Sequence, residues 1–527
     1  MENKNLIIKN ALISVYNKKN ITNFAKKLTE KKVNIFTTNN TEKFLKKKNI
    51  NTTNVSKITK YTEMLNGKIK TLHPKIFFGI LGKKKDLENH TTKSIIIFDI
   101  VVVNFTPINI VQDNKTIEDN IDIGGPAMIK AAMKNYKNTI VIVDYHDYER
   151  ILQEINTFNN VCTKTKLELA KKACEYIINY EHNILKHFHK KLNKLNQEKS
   201  PFYSTIYLKL YKEQELKYGE NPNQKAALYT QKKNIKNGSI DSFKQINGTK
   251  LSYNNIYDAH IANECVNQFT HPACAIIKHG TPCGVSTASH ILSAYSNAYT
   301  SDPISAFGGI IGINTILTKS ITQKIMDTQF VELIIAPEIT SKALKIIKKN
   351  KKIKLLICGN YKNNIKKEYE FKNIREKILI QEKQNIQKFL QNWEIVSIKQ
   401  PTDIEKKHAL FCWKVAQFVK SNAIVYSYKF QTIGIGSGQT NRLESVKIAN
   451  NQLDNNQKNK KKKYKNIIMA SDAFFPFRDS IDECKKKNHA ITCIIQPGGS
   501  IRDKEIIQAA NDYNICMIFT KNRIFRH

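Results

Sequence analysis

The feature that most constrains the fold of this chain is the alternation of strand-like and helix-like segments over residues 1–195. Strand-like apolar runs occupy residues 11–15, 33–37, 100–104 and 139–143, and apolar residues recur at helical spacing over 21–28 and 126–133. Strands that alternate with helices predict a parallel sheet whose two faces are covered by helices. In such sheets, ligands bind at loops beyond the carboxyl ends of the strands. The sequence therefore predicts an α/β domain over 1–195 whose functional residues share one sheet edge.

A polar, charged stretch at residues 190–201 is predicted to separate this domain from a second region, 200–527. Beyond it, strand-like runs end in turns marked by glycine or proline, at residues 274–277, 424–426, 432–435, 491–495 and 516–520. A region of this size exceeds a typical single domain, so its length predicts two α/β subdomains.

Composition limits the class of protein. An apolar content of 41% in 527 residues is enough for a buried core. No stretch approaches the roughly 18 to 20 apolar residues that cross a bilayer, and the amino terminus lacks the apolar segment of a signal peptide. The ten cysteines are dispersed without a C-x-x-C pair, which predicts reduced thiols. We therefore expect a cytoplasmic protein without a membrane segment.

The excess of positive charge allows two interpretations. Lys+Arg number 85 and Asp+Glu 45, a formal net charge of +40. A nucleic-acid-binding protein would use such an excess directly, and its affinity would fall steeply with salt. Lysine and asparagine are abundant along the whole chain, however, and the densest run, at residues 459–465, is typical of a solvated loop. We favour a dispersed charge that attracts small anionic substrates, and expect no nucleic-acid partner.

Residues 276–284, I-I-K-H-G-T-P-C-G, place a cation and an imidazole after an apolar run, in what reads as a loop that also contains a cysteine. Zinc nucleobase deaminases use H-x-E and P-C-x-x-C. Here Thr281 stands where the glutamate would be, and no second cysteine follows Cys283 at that spacing. A buried thiol is the favoured interpretation of Cys283. What remains is His279 as a proton carrier, with Lys278 supplying positive charge.

Two stretches of the first region have the composition of anion sites. K-I-K-T-L-H-P-K at residues 68–75 puts lysines, a threonine and a histidine around a proline-marked turn. I-D-I-G-G-P at residues 121–126 follows an apolar segment with paired glycines and the start of a helix, an arrangement that suits an anion. The alternative for the second stretch is a glycine turn capped by Asp122, and the sequence leaves both open.

The second region contains further polar and glycine-rich loops, at residues 216–222, 251–255, 305–309, 434–439 and 470–479. G-I-G-S-G-Q at 434–439 is not a dinucleotide fingerprint, because Gln439 occupies the third glycine position. The three phenylalanines of A-S-D-A-F-F-P-F-R-D either belong to the core or sandwich a flat heterocycle.

In their order along the chain, these motifs resemble the family of bifunctional purine biosynthesis enzymes (PurH) that join 5-aminoimidazole-4-carboxamide ribonucleotide (AICAR) formyltransferase to inosine monophosphate (IMP) cyclohydrolase. The resemblance spans essentially the whole chain. It is carried by K-T-L-H-P, I-D-I-G-G, K-H-x-x-P-C-G, S-A-F-G-G, F-C-W-K-V-A, K-S-N-A-I-V-Y, G-I-G-x-G-Q, S-D-A-F-F-P-F-R-D, Q-P-G-G-S-I-R-D and the terminal F-R-H.

The resemblance implies a methylglyoxal-synthase-like cyclohydrolase domain over 1–195 and a formyltransferase region over 200–527, built of two cytidine-deaminase-like subdomains without zinc. It implies formyl transfer from 10-formyltetrahydrofolate to the AICAR amine, with no metal required, and then ring closure to IMP with loss of water. It also implies nucleotide and folate substrates, and a homodimer whose transformylase sites are built across the interface.

The resemblance also implies roles for single residues. Lys278 and His279 match the catalytic pair of formyl transfer, and Asn422 matches the residue that orients the formyl group. Substrate-contacting positions of the same region are matched by Lys217, Tyr218, Asn255, Glu332, Arg442, Phe474, Asp479 and Arg523. In the cyclohydrolase domain, Lys70, Asp122 and Lys134 match catalytic positions, and Lys18 and Thr71 match substrate-binding ones.

Several positions depart from the family pattern. Lys217 replaces an arginine, which weakens a bidentate phosphate contact, and Asn223 replaces a histidine. The departures in the cyclohydrolase domain are Thr106 for a tyrosine, Tyr16 for a serine, Asn39 and Asn40 for a glycine pair, and Lys68 for an arginine. We therefore expect a working transformylase and a slowed cyclohydrolase. The alternative is a transformylase whose first domain is impaired or only a scaffold.

Overall fold

The computed structural model describes residues 8–61, 69–83, 95–108, 116–195, 202–231, 243–359, 368–384, 393–461, 463–487 and 489–527. The chain divides into two compact units, Met1–Tyr207 and Leu208–His527. The polar stretch at 190–201 begins inside the last long helix of the first unit. Among the described residues, no helix is both long and apolar enough to cross a membrane.

The first unit contains a five-stranded sheet in the order β3-β2-β1-β4-β5, and every neighbouring pair is parallel. This confirms the predicted parallel α/β architecture. The strands are β1 Asn10–Val15, β2 Asn34–Thr37, β3 Thr53–Asn54, β4 Ile100–Asn104 and β5 Ile140–Ile142. The helices are α1 Ile21–Glu30, α2 Asn39–Lys46, α3 Ser56–Thr59, α4 Pro74–Leu81, α5 Gly124–Lys134, α6 Tyr148–Phe158 and α7 Thr163–Leu195.

The core of this unit lies on both faces of the sheet. Successive strand residues point to opposite faces, so Leu12 and Ile13 of β1 belong to different apolar clusters. The cluster around Ile13 is closed by α1 and α6, and the cluster around Leu12 by α4, α5 and α7. Because both faces are buried, the loops at the strand ends remain as the place for function.

The second unit is organised around one twelve-stranded sheet, in the order β16-β21-β20-β19-β17-β18-β10-β9-β11-β12-β13-β8. Its strands are β8 Lys244–Asn247, β9 Ala273–Lys278, β10 Thr281–Thr287, β11 Ile310–Ile313, β12 Leu333–Ala336, β13 Lys354–Ile357, β16 Glu394–Ile395, β17 Ile424–Tyr428, β18 Gln431–Gly436, β19 Ile467–Ser471, β20 Ile491–Gln496 and β21 Cys516–Phe519. Two separate hairpins pair β6 Tyr211–Glu215 with β7 Ala227–Thr230, and β14 Tyr369–Ile374 with β15 Lys377–Glu382.

The element order of this sheet repeats. Each half runs strand, helix, hairpin, helix, strand, helix, strand, helix, strand, and the first half adds only the short helix α10. The halves join where β10 pairs antiparallel with β18. The helices are α8 Tyr253–Val266, α9 Ile291–Tyr299, α10 Pro303–Ala306, α11 Lys319–Thr328, α12 Ser341–Lys348, α13 Asp403–Ala416, α14 Arg442–Lys460, α15 Asp479–Lys486 and α16 Asp503–Asp512. The two halves, called subdomains below, therefore have the same element order, and both lie in one compact unit. The division into two subdomains stays a prediction.

The stretch at 276–284 differs from its prediction as a loop. Strand β9 ends at Lys278, His279 and Gly280 form a two-residue turn with φ of 54° and 76°, and β10 begins at once. Positive φ at both turn residues is the geometry of a tight hairpin. Pro282 is accommodated in the strand because the register shifts there, at a bulge. The loop prediction failed because glycine and proline mark bulges as well as loops.

Candidate active sites

In the first unit, the carboxyl ends of the strands bring several predicted residues to one edge. Lys18 lies just beyond β1, and its Nζ donates to the carbonyl oxygen of Val15 at 3.1 Å. Partial burial lowers the pKa of Lys18. The amide oxygen of Asn104, at the end of β4, accepts from the backbone N–H groups of Tyr16 and Asn17, both at 2.8 Å. Asn104 thus fixes the loop that contains Lys18, a role for which the sequence showed no signal.

Asn39 and Asn40, which replace the glycine pair of the family, begin helix α2 and neither has a positive φ. The backbone here therefore requires no glycine. The amide oxygen of Asn39 accepts from Nδ2 of Asn54 at 2.5 Å, and the same Nδ2 lies 2.5 Å from a carboxylate oxygen of Glu42. Asn39 is thus tied to neighbouring polar side chains.

The K-T-L-H-P and I-D-I-G-G stretches, more than 40 residues apart, meet in the structure. A Cβ at Gly124 would lie 2.5 Å from Oγ1 of Thr71, so only glycine permits this approach. At Gly125, a Cβ would lie 2.8 Å from the ring of Phe105, which follows β4. The paired glycines therefore seat the start of α5 against protein side chains, whereas the sequence had suggested close approach to a ligand.

Asp122 stands at the centre of this arrangement. One carboxylate oxygen accepts the N–H of Gly125 at 2.7 Å, which is the capping contact that the sequence left open. Burial raises the pKa of Asp122, against the opposing effects of that hydrogen bond and of the charge of Lys70. The hydroxyl of Tyr180, on α7, accepts the backbone N–H of Asp122 at 2.7 Å. A buried carboxyl beside a lysine suits proton transfer or the orientation of a reacting group.

One predicted position of this unit, Lys134, stands elsewhere. Lys134 is exposed in the last turn of α5, about 15 Å along the helix axis from Gly124 at ~1.5 Å per residue. Within one chain, the structure therefore does not bring Lys134 to Asp122. Thr106 follows Phe105 and is half-buried, and Lys68 lies outside the described residues.

In the second unit, Lys278 and His279 occupy the end of β9 and its turn. His279 is exposed and Lys278 is half-buried, with its Nζ donating to the carbonyl oxygen of Phe307 at 2.9 Å. A carboxylate oxygen of Asp258, on α8, accepts the N–H of Gly280 at 2.7 Å. Burial raises the pKa of Asp258, although the N–H groups of the turn and the charges of His279 and Lys420 oppose this. Asp258 thus holds the turn that presents the imidazole to solvent.

The side chains of Asn255, on α8, and Glu332, just before β12, are in contact. Nδ2 of Asn255 donates to a carboxylate oxygen of Glu332 at 2.9 Å, and Nζ of Lys354 donates to the same oxygen at 3.2 Å. The loop with Lys217 and Tyr218 pairs with the residues around the start of α8. The N–H of Lys217 donates to the carbonyl oxygen of Leu251, and the N–H of Tyr253 donates to that of Tyr218. Nζ of Lys217 lies 5.3 Å from the ring centroid of Tyr218.

A second cluster surrounds Asn422, in the loop before β17. Arg442, the first residue of α14, is only 6% exposed. Its Nη2 donates to the amide oxygen of Asn422 at 2.7 Å, and its Nη1 donates to Ser471 at 2.8 Å and Asp472 at 2.5 Å. Arg442 was predicted as a substrate contact, but the guanidinium of this chain is buried among protein groups.

The remaining predicted contacts are more open. Phe474 is exposed and Asp479 begins α15, where its carboxylate accepts from the backbone of Ser480 at 2.6 Å. Arg523 is exposed in the C-terminal segment, and Ile524 beside it donates to the carbonyl oxygen of Asp472 at 2.9 Å. In the phenylalanine stretch, Phe475 is core, whereas Phe474 and Phe477 are exposed. The binding of a flat heterocycle by these rings stays a prediction.

The two clusters of the second unit meet at Gly280. A Cβ there would lie 3.0 Å from the ring of Tyr257 and 3.3 Å from Cε of Lys420. Lys420 precedes the Asn422 loop, so the His279 turn of one subdomain adjoins the Asn422 loop of the other. Sequence reasoning missed Lys420, Asp258 and Asp472, whose partners are distant in the chain. Lys420 and Asp472 each stood inside a motif, K-S-N-A-I-V-Y and S-D-A-F-F-P-F-R-D, and Asp258 stood in none of those given.

Cys283 does not suit the role of a nucleophile. Burial raises the pKa of its thiol to about 12, and the thiolate is the reactive form. In the part of the chain that the structure describes, no three His, Cys, Asp or Glu side chains are grouped as metal ligands.

Comparison with protein families gives two matches. The family described as "AICARFT/IMPCHase bienzyme" matches residues 132–452, and the MGS-like domain matches residues 20–147. The first match covers more than half of the chain.

Three relatives match along their whole length, each named "Bifunctional purine biosynthesis protein PurH". The protein of Buchnera aphidicola subsp. Schizaphis graminum (strain Sg) is 50% identical, over 99% of both chains. That of subsp. Acyrthosiphon pisum (strain Tuc7) is 48% identical over 99% of both, and that of subsp. Baizongia pistaciae (strain Bp) is 43% identical over 100% of both. Among solved structures, one titled "Crystal structure of ForH" is 24% identical, covers 34% of this chain and 99% of its own, and has a TM-score of 0.32.

Proposed function

The chain belongs to the bifunctional PurH family, and from that premise we propose how its residues divide the two reactions. The enzyme is a transferase and a hydrolase of purine biosynthesis, an AICAR formyltransferase and IMP cyclohydrolase. We assign ring closure to residues 1–195 and formyl transfer to residues 200–527. The observation that carries the assignment is the hairpin turn at which Lys278 and His279 meet the Asn422 loop.

For formyl transfer, we propose that the amine of AICAR attacks the formyl carbon while His279 takes up the proton that the amine loses. The imidazole is exposed on a turn held from behind by Asp258, so it is free to meet a substrate. Lys278 supports the charge on the transferring group, and Asn422 orients the formyl oxygen. The new C–N bond forms first and places negative charge on the formyl oxygen. The C–N bond to the donor then breaks, and the donor nitrogen takes up the proton held by His279, so that tetrahydrofolate leaves.

Substrate contacts are proposed at the remaining positions. Lys217, Tyr218, Asn255 and Glu332 gather at the start of α8, and Phe474, Asp479 and Arg523 lie around the Asn422 loop or at the start of α15. Exposed lysine and arginine suit the nucleotide phosphate, and the exposed ring of Phe474 suits a flat heterocycle. Arg442 contributes through the buried network around Asn422.

For ring closure, we propose that Asp122 and Lys70 act on the reacting groups, with Thr71 beside them and Lys18 toward the phosphate. The contact between Thr71 and Gly124 supports this grouping. Lys134 is distant from Asp122 within one chain, so its proposed role requires the assembled enzyme. Thr106 supplies no phenolic group, which leaves positioning and charge as the main contributions.

The formyl donor is of the folate type, as the formyltransferase family implies. We propose 10-formyltetrahydrofolate as that donor and formyl transfer without a metal. We further propose a cytoplasmic homodimer with shared transformylase sites and no nucleic-acid or membrane partner. All ten cysteines are free, which agrees with a reducing compartment. The dispersed lysines favour anionic small molecules.

The test is to measure both reactions separately on the purified full chain. We expect efficient formyl transfer to AICAR, and ring closure of synthetic formyl-AICAR at a reduced rate relative to a relative that has tyrosine at the position of Thr106. Full family-like ring closure would contradict the slowed cyclohydrolase. Since full-length relatives are named bifunctional at up to 50% identity, a transformylase with a scaffold domain is not favoured.

A further inference from the structure

The buried network behind Asn422 contains Asp472, a residue to which the family resemblance assigns no role. We propose that Asp472 is a positioning residue for formyl transfer, which fixes the orientation of the Asn422 amide by way of Arg442. The inference rests on the proposed function, in which Asn422 orients the formyl group.

Asp472 follows β19 and is fully buried. One carboxylate oxygen accepts from Nη1 of Arg442 at 2.5 Å, and the other accepts from the hydroxyl of Ser421 at 2.5 Å. A buried carboxylate is stable only when it is paired and hydrogen-bonded. Here its two partners are the side chain that touches Asn422 and the residue that precedes Asn422 in the chain.

The direction of the Asn422 amide follows from the chemistry of arginine. A guanidinium only donates hydrogen bonds, so the atom 2.7 Å from Nη2 of Arg442 must be the amide oxygen of Asn422. The amide nitrogen then faces the other way, toward the carbonyl oxygens of Gln439 at 2.9 Å and Thr440 at 3.3 Å. The guanidinium and the two carbonyl oxygens therefore favour the same direction of the amide, and removal of Arg442 takes away the hydrogen bond to its oxygen end.

The backbone of the loop is held by the same elements. The carbonyl oxygen of Asn422 accepts from the hydroxyl of Ser445 at 2.9 Å, and the N–H of Ser421 donates to Arg526 at 2.9 Å. The loop is therefore anchored by α14 and by the C-terminal segment. The carboxylate of Asp472 links the Ser421 side chain of the loop to Arg442 of α14, and its backbone carbonyl oxygen accepts from Ile524 of the C-terminal segment. The backbone contacts fix where Asn422 lies, and the Asp472–Arg442 pair holds the oxygen end of its amide, opposite the nitrogen end that the carbonyl oxygens of Gln439 and Thr440 hold.

A donor of fixed direction matters for this reaction because negative charge develops on the formyl oxygen as the amine attacks. An N–H group that already points at that oxygen stabilises the charge without reorganising. The long contact with Thr440 is the bond that an arriving formyl oxygen displaces. Asp472 touches no reacting atom and acts only through this orientation.

The test is Asp472→Asn, which keeps the shape and removes the charge. We expect kcat for formyl transfer to fall by about 10- to 100-fold. This decrease is smaller than, or similar to, the decrease in kcat caused by removing one oxyanion donor. KM for AICAR and the rate of ring closure should stay within about twofold of the wild-type values, since the fixed amide matters most as charge develops. The matched control is Asp454→Asn, which removes a carboxylate that pairs with buried His489 at 2.8 Å in the same subdomain. The control should leave kcat unchanged.

A double variant separates orientation from stability. Asp472→Leu with Arg442→Met replaces both buried charges by apolar groups, which often preserves or raises stability. We expect this protein to unfold near the wild-type temperature and still transfer formyl groups slowly. Recovery of wild-type kcat in the double variant, or an Asp472→Asn kcat equal to that of the control, would overturn the inference. Asn422→Ala tests separately the premise that Asn422 orients the formyl group. If that variant is fully active in formyl transfer, the proposed role of Asn422 itself is wrong.

Discussion

Among single residues, the proposed mechanism of formyl transfer depends most directly on His279. Its imidazole is exposed on a turn beside Lys278, and Asp258 holds the turn from behind. We expect His279→Ala to lower the rate of formyl transfer by about 10²- to 10⁴-fold, the usual contribution of a general base. Ring closure by the same protein should be unaffected, because it is assigned to the other unit.

The control for this experiment is His290→Ala. His290 is exposed before α9 and caps that helix without a side-chain hydrogen bond, so its removal should leave both reactions intact. Near wild-type rates of formyl transfer by His279→Ala would contradict the assignment of His279 as the proton carrier.

Asp122 makes a pH-dependent prediction for ring closure. Burial raises its pKa, so its carboxylate forms at a higher pH than the ordinary value near ~3.9. If the carboxylate is the active form, the ring-closure rate should increase as pH rises through that raised pKa. The acidic limb of the profile should therefore lie above the usual aspartate range.

The measurement is the pH–rate profile of ring closure for the wild type and Asp122→Asn. We expect the variant to be at least about 10²-fold slower, as for removal of an acid–base group, and to lose the acidic limb. An unchanged limb in Asp122→Asn would assign that titration to another group. Formyl transfer, measured in parallel, serves as the internal control.

At the scale of elements, the contact between β18 and α14 sets where Arg442 lies. A Cβ at Gly436 would overlap the carbonyl oxygen of Ser445, part of the helix backbone. We expect Gly436→Ala to destabilise the protein by about 3 kcal/mol, the upper range for overpacking, because a helix backbone yields little. The start of α14 must shift, so formyl transfer should slow as well.

Gly438→Ala is the matched control. Gly438 has a φ of 69° and no other atom within 4 Å of a Cβ, so alanine there meets backbone strain but no clash. We expect a loss of about 1 kcal/mol. Chemical denaturation measures the free energy of unfolding of both variants. Equal losses of stability would show that the contact of Gly436 with the backbone of α14 does not cause the destabilisation.

For the whole molecule, the hairpin of β14 and β15 bears on the proposed homodimer. One face of this two-stranded sheet presents Phe371, 40% exposed, and Ile378, 53% exposed, and the other face presents Ile374 and Leu379, 48% and 58% exposed. An isolated hairpin is marginal in water, so an apolar face of this kind needs a cover. We propose that the second chain provides it.

We expect Ile378→Lys to raise the dissociation constant of the dimer by at least tenfold, measured by sedimentation equilibrium. Leu379→Lys, on the opposite face, shows whether the second chain covers that face as well. The matched control is Gln381→Lys, at an exposed polar position of the same hairpin. If neither Ile378→Lys nor Leu379→Lys weakened the dimer more than this control, or if the wild type sedimented as a monomer, this use of the hairpin would be wrong.

The sequence by itself determined the architecture and the family. The alternation of apolar runs with helical spacing is a local pattern, and it predicted the parallel sheet of the first unit and the α/β character of the second. Likewise, Lys278 and His279 are neighbours in the chain, so their pairing was visible without coordinates. Periodicity and adjacent residue types survive in a linear sequence because they depend on the nearest few positions.

Only the tertiary structure decided how the sites are held. Asp472, Arg442 and Asn422 are separated by 20 to 50 residues and meet through hydrogen bonds between side chains. Asp258 reaches the His279 turn from a different element, and Gly124 is needed because of Thr71, far earlier in the chain. Such contacts leave no periodic trace, because a hydrogen bond depends on where two groups lie in space and not on their spacing along the chain.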